Sequence, residues 1–253
     1  RIHKVFNVKL SLEEIFTNPT IRGLAKVMDS STAEHVDYES IQPAEKKEYY
    51  ALSSAQRRLY FLQVMEESAV GYNIPQFIKL EGQLEVEKLE NVFHKLIQRH
   101  ESLRTSFRMA DEVPVQRVHD AVEFKIERIG GREQELGVSE VKILTIIERF
   151  IRPFDLSHAP LLRVGVVRIE NNQHILMVDM HHIVSDGASM GLLIEEFMAL
   201  YAGRELPQPR LNYKDYAEWQ AQARTQIRQQ EAFWLNEMAG DIPVLNLPND
   251  YLR

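Results

Sequence analysis

Two apolar runs separated by a polar tetrad leave this chain few architectures. Residues 161–169 are rich in Val, Leu and Ile, residues 174–182 in Met, Val, Ile and Leu, and Glu170, Asn171, Asn172 and Gln173 stand between them. Runs of this kind bounded by turn-forming residues are predicted to be two consecutive strands. Side chains alternate along a strand, so Leu176, Val178, Met180 and His182 share one face while Ile175, Met177, Asp179 and His181 share the other. Further strands are expected at 76–80, 105–109, 113–118 and 122–126. Helical spacing dominates elsewhere. Ser53 and Gln56 form a capping box ahead of Leu59, Leu62 and Met65, and Val86, Leu89, Phe93, Leu96, Ile97 and His100 make a second stripe. Helices are also predicted over 139–151, stopped by Pro153, over 189–201, and over 212–238. The last carries Tyr216, Trp219, Ala223, Ile227 and Trp234 and ends near Gly240. Strands mixed with helices predict an α/β (α+β) fold and not a repeat array.

The pattern before residue 49 is different. Ser11 and Glu14 form a capping box before a short helix, and Asn18-Pro19 opens another with Pro19 in its first turn. Ile21, Leu24, Ala25 and Met28 fall on one face of that second helix. Two short helices bury too little surface to fold alone, so residues 1–30 are expected to end a helical domain begun before Arg1. Residues 31–48 are polar, aperiodic and carry a proline, which predicts a linker; 49–210 form the main unit and 211–253 a helix and segment leading out of it.

Composition narrows the function. With 44% hydrophobic and 26% charged residues the chain is of soluble globular type, and a net charge of −7 argues against a nucleic-acid partner. No apolar run approaches the roughly 18 residues of a membrane span. Absence of cysteine excludes disulfides, thiolate nucleophiles and cysteine-type zinc sites, and suits the cytoplasm.

Chemistry concentrates at MVDMHHIVSDGASM, residues 177–190. Adjacent histidines on a strand point apart and cannot chelate one ion, so no metal is expected there. His182 lies where the strand turns into a helix, a position that presents a side chain at a cleft from a rigid support. An imidazole with its ordinary pKa near ~6.5 can take and return a proton near neutrality. Asp186 is expected to hold the turn through an ion pair with an arginine, and Gly187 to supply backbone freedom and clearance. The opposing possibility is that His181 and His182 are satisfied core residues and that Asp186 and Gly187 form only a turn and helix cap. Tyr213, Tyr216 and Trp219 read as packing residues, and Arg57-Arg58 as a solvated helix face.

HHIVSDG at 181–187 matches the HHxxxDG signature of condensation domains from nonribosomal peptide synthetases. LSSAQRRLYFL at 52–62, YNIP at 72–75, RHESLRTSF at 99–107 and YKDYAEWQ at 213–220 resemble that family's other motifs, in the same order. FTNPTIRGLA at 16–25 resembles the end of a peptidyl carrier domain, without that domain's LGGHS-like attachment serine. The resemblance implies the first of two lobes similar to chloramphenicol acetyltransferase, preceded by a carrier domain's terminal helices. It implies peptide-bond formation between thioesters carried on phosphopantetheine arms, delivered by donor and acceptor carrier domains and not attached to this chain. An adenylation domain of the same megasynthase and a second, C-terminal lobe are the other implied partners. His182 maps to the family's catalytic histidine, as base or as positioner of the amine, with His181, Asp186 and Gly187 completing the motif. Asp186 is expected to pair with Arg104, or with Arg99 as the alternative. Ala188-Ser189 resembles domains that accept an L-configured donor. The 253-residue piece is expected to be inactive by itself. An epimerisation domain of the same superfamily and a noncatalytic carrier-docking lobe are the competing readings.

Overall fold

The computed structural model describes residues 6, 8, 10, 12–30, 41–129, 140–170, 172–222 and 224–241, with side chains left undescribed at 12, 30, 140–142, 170 and 224–229. The chain divides into two compact units, Arg1–Ser40 and Ile41–Arg253.

In the first unit, α1 (Leu12–Thr17) and α2 (Ile21–Ser30) follow each other closely. The amide of Asn18 closes on the Glu14 carbonyl at 2.9 Å, ending α1. The Thr20 hydroxyl accepts from the Gly23 amide at 3.0 Å. Thr20 is therefore the N-cap and Pro19 precedes it, which corrects the expected first-turn proline: a hydroxyl satisfies an orphan amide, and proline has no side-chain acceptor. Of the expected stripe, Leu24 and Met28 are half-buried while Ile21 is 90% exposed and Ala25 is exposed. Ser11 lies outside the described residues.

In the second unit the elements are β1 (Tyr50–Ala51), α3 (Ser54–Met65), β2 (Asn73–Glu81) and α4 (Val86–Arg99). A 3-10 turn (Glu101–Arg104), β3 (Thr105–Ala110), β4 (Val113–Val118), β5 (Glu127–Ile129) and α5 (Glu140–Phe150) come next. Then follow β6 (Leu162–Glu170), β7 (Gln173–His181), α6 (Gly187–Tyr201), α7 (Tyr213–Gln222) and α8 (Arg224–Glu237). Within the expected helix over 212–238 the described residues are helical over Tyr213–Gln222 and Arg224–Glu237, and Ala223 and the side chain of Ile227 lie outside the described residues. Trp234 is 56% exposed, so this face is not core.

The four-stranded sheet runs β2-β7-β6-β5 and a smaller one β1-β4-β3. β7 pairs antiparallel with both neighbours, in register from Asn73 opposite His181 to Glu81 opposite Gln173. Both of its faces are covered. Leu176, Val178 and Met180 join Val164, Val166, Leu89, Phe93 and Leu96 in one cluster, against which Leu193 and Phe197 of α6 pack. Met177 on the other face meets Val167 and Phe150. Each large apolar side chain so buried stabilises the fold by about 1.5–3 kcal/mol. A third cluster, with Leu59, Tyr60, Phe107, Phe154, Ile183 and Val184, ties α3 to the chain leaving β7.

The run at 122–126 is not a strand. Phe124 and Ile126 are buried, yet the amide of Ile126 donates to Glu90 Oε2 at 3.0 Å, and the ladder with β6 begins only at Glu127. The α3 stripe needs correction too: Leu59 is buried, but Leu62 and Met65 are 38% and 83% exposed, and Gln56, Tyr60 and Gln63 turn inward instead.

Domain limits also differ from expectation. Ala44 donates to Asp215 Oδ1 at 2.9 Å and the amide of Lys47 to the Tyr50 hydroxyl at 3.0 Å, so residues 41–48 belong to the larger unit rather than to a linker. Nor does a boundary fall at residue 210. Glu218 Oε1 accepts from the Ala51 amide at 2.7 Å and Gln220 Oε1 from the Ser54 amide at 2.7 Å, fastening α7 to β1 and α3.

One polar cluster sits inside the sheet. Asp179, fully buried on β7, accepts from Asn73 Nδ2 at 2.7 Å and pairs with Arg163 Nη1 at 3.1 Å. The same guanidinium donates to the Arg152 carbonyl at 3.0 Å and the Pro153 carbonyl at 3.2 Å, and lies 4.0 Å from the Phe154 ring centre. Burial pushes the Asp179 carboxyl up against the pull of Asn73 and Arg163, and pushes Arg163 down to about 10.

Candidate active site

The end of β7 gives its two histidines opposite surroundings. His181 is fully buried, between the rings of Tyr72 and Phe154 at 6.3 and 6.2 Å. Its Nε2 lies 3.1 Å from Gln63 Oε1, and its Nδ1 accepts the Ile183 amide at 3.1 Å. An amide oxygen can only accept, so the proton of the neutral ring sits on Nε2. Burial, with the neighbouring His182 adding to it, pushes the ring's pKa down to about 4. No reactant reaches such a group.

His182 is the first residue past the strand. Its amide continues the ladder by donating to the Tyr72 carbonyl at 2.8 Å, while its side chain is exposed. Buried Ile183 and Val184 anchor the turn that follows, and the Val184 amide closes back on the His181 carbonyl at 3.1 Å. The imidazole of His182 stands on the wall of a cavity of about 240 Å³, together with Arg58, Ser185, Asp186, Tyr213 and Lys214.

Among the described residues Asp186 pairs with no arginine. Its Oδ1 accepts from the Ser189 amide at 2.8 Å and the Ser189 hydroxyl at 2.7 Å, making it the N-cap of α6. These hydrogen bonds hold its pKa below the usual carboxylate range. Both candidate arginines are engaged elsewhere. Arg104 donates to the His119 carbonyl and pairs with Glu101 at 3.6 Å; Arg99 forms a fork on Glu196, with Nε and Nη2 each at 2.9 Å. A carboxylate at a helix start meets free amides first, whereas the guanidinium forks fit acceptors nearer their own elements. Gly187 needs correction as well. It opens α6 without a left-handed φ, and a Cβ placed there would meet nothing within 4 Å, so neither conformation nor clearance calls for glycine.

The cavity holds residues that sequence reasoning assigned to other duties. Tyr213 reads as a packing residue but bonds Ser53 Oγ through its hydroxyl at 3.0 Å, and burial raises the pKa of that hydroxyl. Lys214 lies beside it and pairs with Glu101 of the 3-10 turn. Arg58 of the expected solvated face lines the same wall. The only advance signal was the order of the motifs, since LSSAQRRLYFL, RHESLRTSF and YKDYAEWQ all converge on this cavity with HHIVSDG. Among the described residues no group of three or more His, Cys, Asp or Glu could hold a metal ion, and no helix is long and apolar enough to cross a membrane.

The profile of the condensation-domain family matches residues 46–253. Bacitracin synthase 3 of Bacillus licheniformis is 48% identical over 255 residues, covering 100% of this chain and 4% of that protein. Tyrocidine synthase 3 of Brevibacillus parabrevis is 46% identical over 254 residues, covering 100% of this chain and 4% of that protein. The chain therefore spans a small part of the length of the curated relatives it matches. Among solved structures, the X-domain from teicoplanin biosynthesis in complex with OxyB superposes with a TM-score of 0.70 at 26% identity, over 85% of this chain and 48% of that one.

Proposed function

Because this chain belongs to the condensation-domain family, we propose that it is part of a nonribosomal peptide synthetase and forms peptide bonds between carrier-borne thioesters. The observation that carries this reading is the exposed imidazole of His182, presented at a cavity wall by a backbone held on both sides. The acceptor amine attacks the donor's thioester carbon. A C–N bond forms, the carbonyl pair moves to oxygen, and collapse breaks the C–S bond to release the donor thiol. His182 takes the amine's proton, or positions the amine, and the proton ends on the departing sulfur or in water. Phosphopantetheine enters as the arm of each substrate, brought by donor and acceptor carrier domains. An adenylation domain of the same megasynthase loads those arms, and a second lobe completes the channel around the cavity. We assign the larger unit to the first lobe of a fold like that of chloramphenicol acetyltransferase, a reading that its mixed α/β architecture supports, and the absence of cysteine suits the cytoplasm.

Residues 1–30 we assign to the end of a peptidyl carrier domain. The family profile begins at residue 46, yet both synthase matches cover the whole chain, so those relatives have counterparts of the first unit. A docking lobe without chemistry is the second reading, favoured by the X-domain likeness, since that domain was solved bound to another protein.

The test is dipeptidyl-thioester formation by the intact enzyme with His182→Ala. Loss of about 10²-fold or more in turnover supports a reacting imidazole. Unchanged turnover sinks the reading in favour of docking, and α-proton exchange without bond formation in the parent replaces it with epimerisation.

A further inference from the structure

We propose that Gln63 of α3 is a positioning residue for His182. It accepts the Nε2 proton of His181, which leaves Nδ1 to hold the Ile183 amide and thereby fixes the turn on which His182 stands. The inference rests on the reading of His182 given above.

The chain of contacts has a definite direction. Gln63 is 3% exposed, and its Nε2 donates to the carbonyls of Glu67 at 3.2 Å and Ala69 at 3.3 Å. Those two carbonyls accept only, so the amide group can present nothing but its oxygen to His181. That oxygen in turn requires a proton on Nε2, and a neutral ring then has a lone pair on Nδ1 for the Ile183 amide. With the other tautomer, two donors would face each other at Ile183 and two acceptors at Gln63. The turn after α3 at 67–69 thus determines, through one amide and one imidazole, where the backbone of residue 183 lies. Residue 182 is its neighbour, with its own amide fixed on Tyr72. Gln63 and His181 are 118 residues apart, so the contact joins α3 to the end of β7.

The titratable and charged groups around His181 are few. His182 is next in the chain, and Asp179 lies two residues back on the same strand face with its partner Arg163. The Tyr72 ring flanks it from the segment before β2, Asn73 stands opposite across the ladder, and Phe154 with Arg163 stacked on it covers the other side. A charge introduced at position 63 would therefore act directly on a contact between two neutral groups, Gln63 and the His181 ring. Burial already disfavours the imidazolium there, in the same sense as the hydrogen-bond pattern.

Imidazole ¹⁵N shifts of this chain are the first measurement. His181 is expected as the neutral Nε2–H tautomer from about pH 5 to about pH 8. Finding the Nδ1–H tautomer, or an imidazolium at neutral pH, overturns the proposal, and that arm needs no variant to fold. In the intact enzyme, Gln63→Leu is expected to lower turnover about tenfold or more, with the KM for the acceptor thioester little changed. A folded Gln63→Leu enzyme with wild-type turnover also overturns it. Gln63→Glu keeps an acceptor but adds a negative charge, so His181 gains a proton nearer neutrality, and its Nδ1 then opposes the Ile183 amide. Turnover of that variant should be highest at high pH, under a ceiling set by the lost donations to the Glu67 and Ala69 carbonyls, and fall further as the pH drops through the new His181 pKa. An unaltered pH profile contradicts the proposal. If the tautomer is as expected and His182→Ala keeps full activity, the proposed reaction fails and the hydrogen-bond chain stands.

Discussion

Replacing Arg163 with methionine tests the energetics of the sheet beneath the site. In the wild type Asp179 is completely buried, with Asn73 and Arg163 as its two partners. Arg163→Met keeps an unbranched side chain of similar girth over Phe154 but strands the carboxylate and frees the carbonyls of Arg152 and Pro153. Breaking a buried pair by removing one partner destabilises by about 3–5 kcal/mol at neutral pH. For a unit of this size that is a fall in Tm of roughly 6–20 °C. The pH dependence identifies the cause. The folded pKa of Asp179 is already raised by burial, and losing Arg163 raises it further. A carboxyl with a raised folded pKa favours the fold below its unfolded pKa, and that contribution disappears as pH climbs through the folded pKa. The variant's deficit should therefore shrink as pH falls from about 7.5 towards 4, where protonation removes the unpaired charge. What remains at low pH is the loss of the carbonyl contacts and the ring stack. Urea melts of wild type and variant across that range give the answer. A deficit below about 1 kcal/mol at neutral pH, or one independent of pH, refutes the reasoning.

Two further substitutions probe the site's supports. Gly165→Ala should destabilise by about 1–3 kcal/mol in the same melts, because its Cβ would come within 2.9 Å of Phe150 Cε2, 3.0 Å of Met177 Cε and 3.2 Å of Ile129 Cδ1. Asp186→Ala should lose about 1 kcal/mol as a missing helix cap, while Asp186→Asn, an equally good cap, should lose little; equal losses would indicate an ion pair instead. Since hydrogen bonds from Ser189 depress the folded pKa of Asp186, its contribution is present above the unfolded carboxylate pKa and fades as pH falls through the folded value.

What the sequence declared and what it concealed divide along the range of the interactions. Local patterns were readable: the capping box at Ser53, the alternation along β7, the stripe of α4 and the strand at 113–118 all appear where spacing put them. Alternation correctly separated His181 from His182, but it could not say which face of the strand end is covered, because that depends on α3 and Phe154. The arginine partner of Asp186 was misread for the same reason. Charge and motif order made Arg104 and Arg99 candidates, and nothing local shows that Glu101, His119 and Glu196 already engage them. At 122–126 burial mimicked a strand, since apolar alternation reports what is hidden and not whether a neighbouring backbone is there to pair with. The cavity role of Tyr213 depended on Ser53, 160 residues away.

The continuous pairing of β7 with β2 makes the histidine doublet intolerant of slippage. Deleting or inserting one residue between 173 and 181 would turn each ring to the opposite face of the strand, so that the His182 imidazole would no longer stand at the cavity wall. Neighbouring identical letters in the motif are thus not spare copies of each other. A chain altered in length there could keep both histidines, and much of its sheet, and still have nothing to show a substrate.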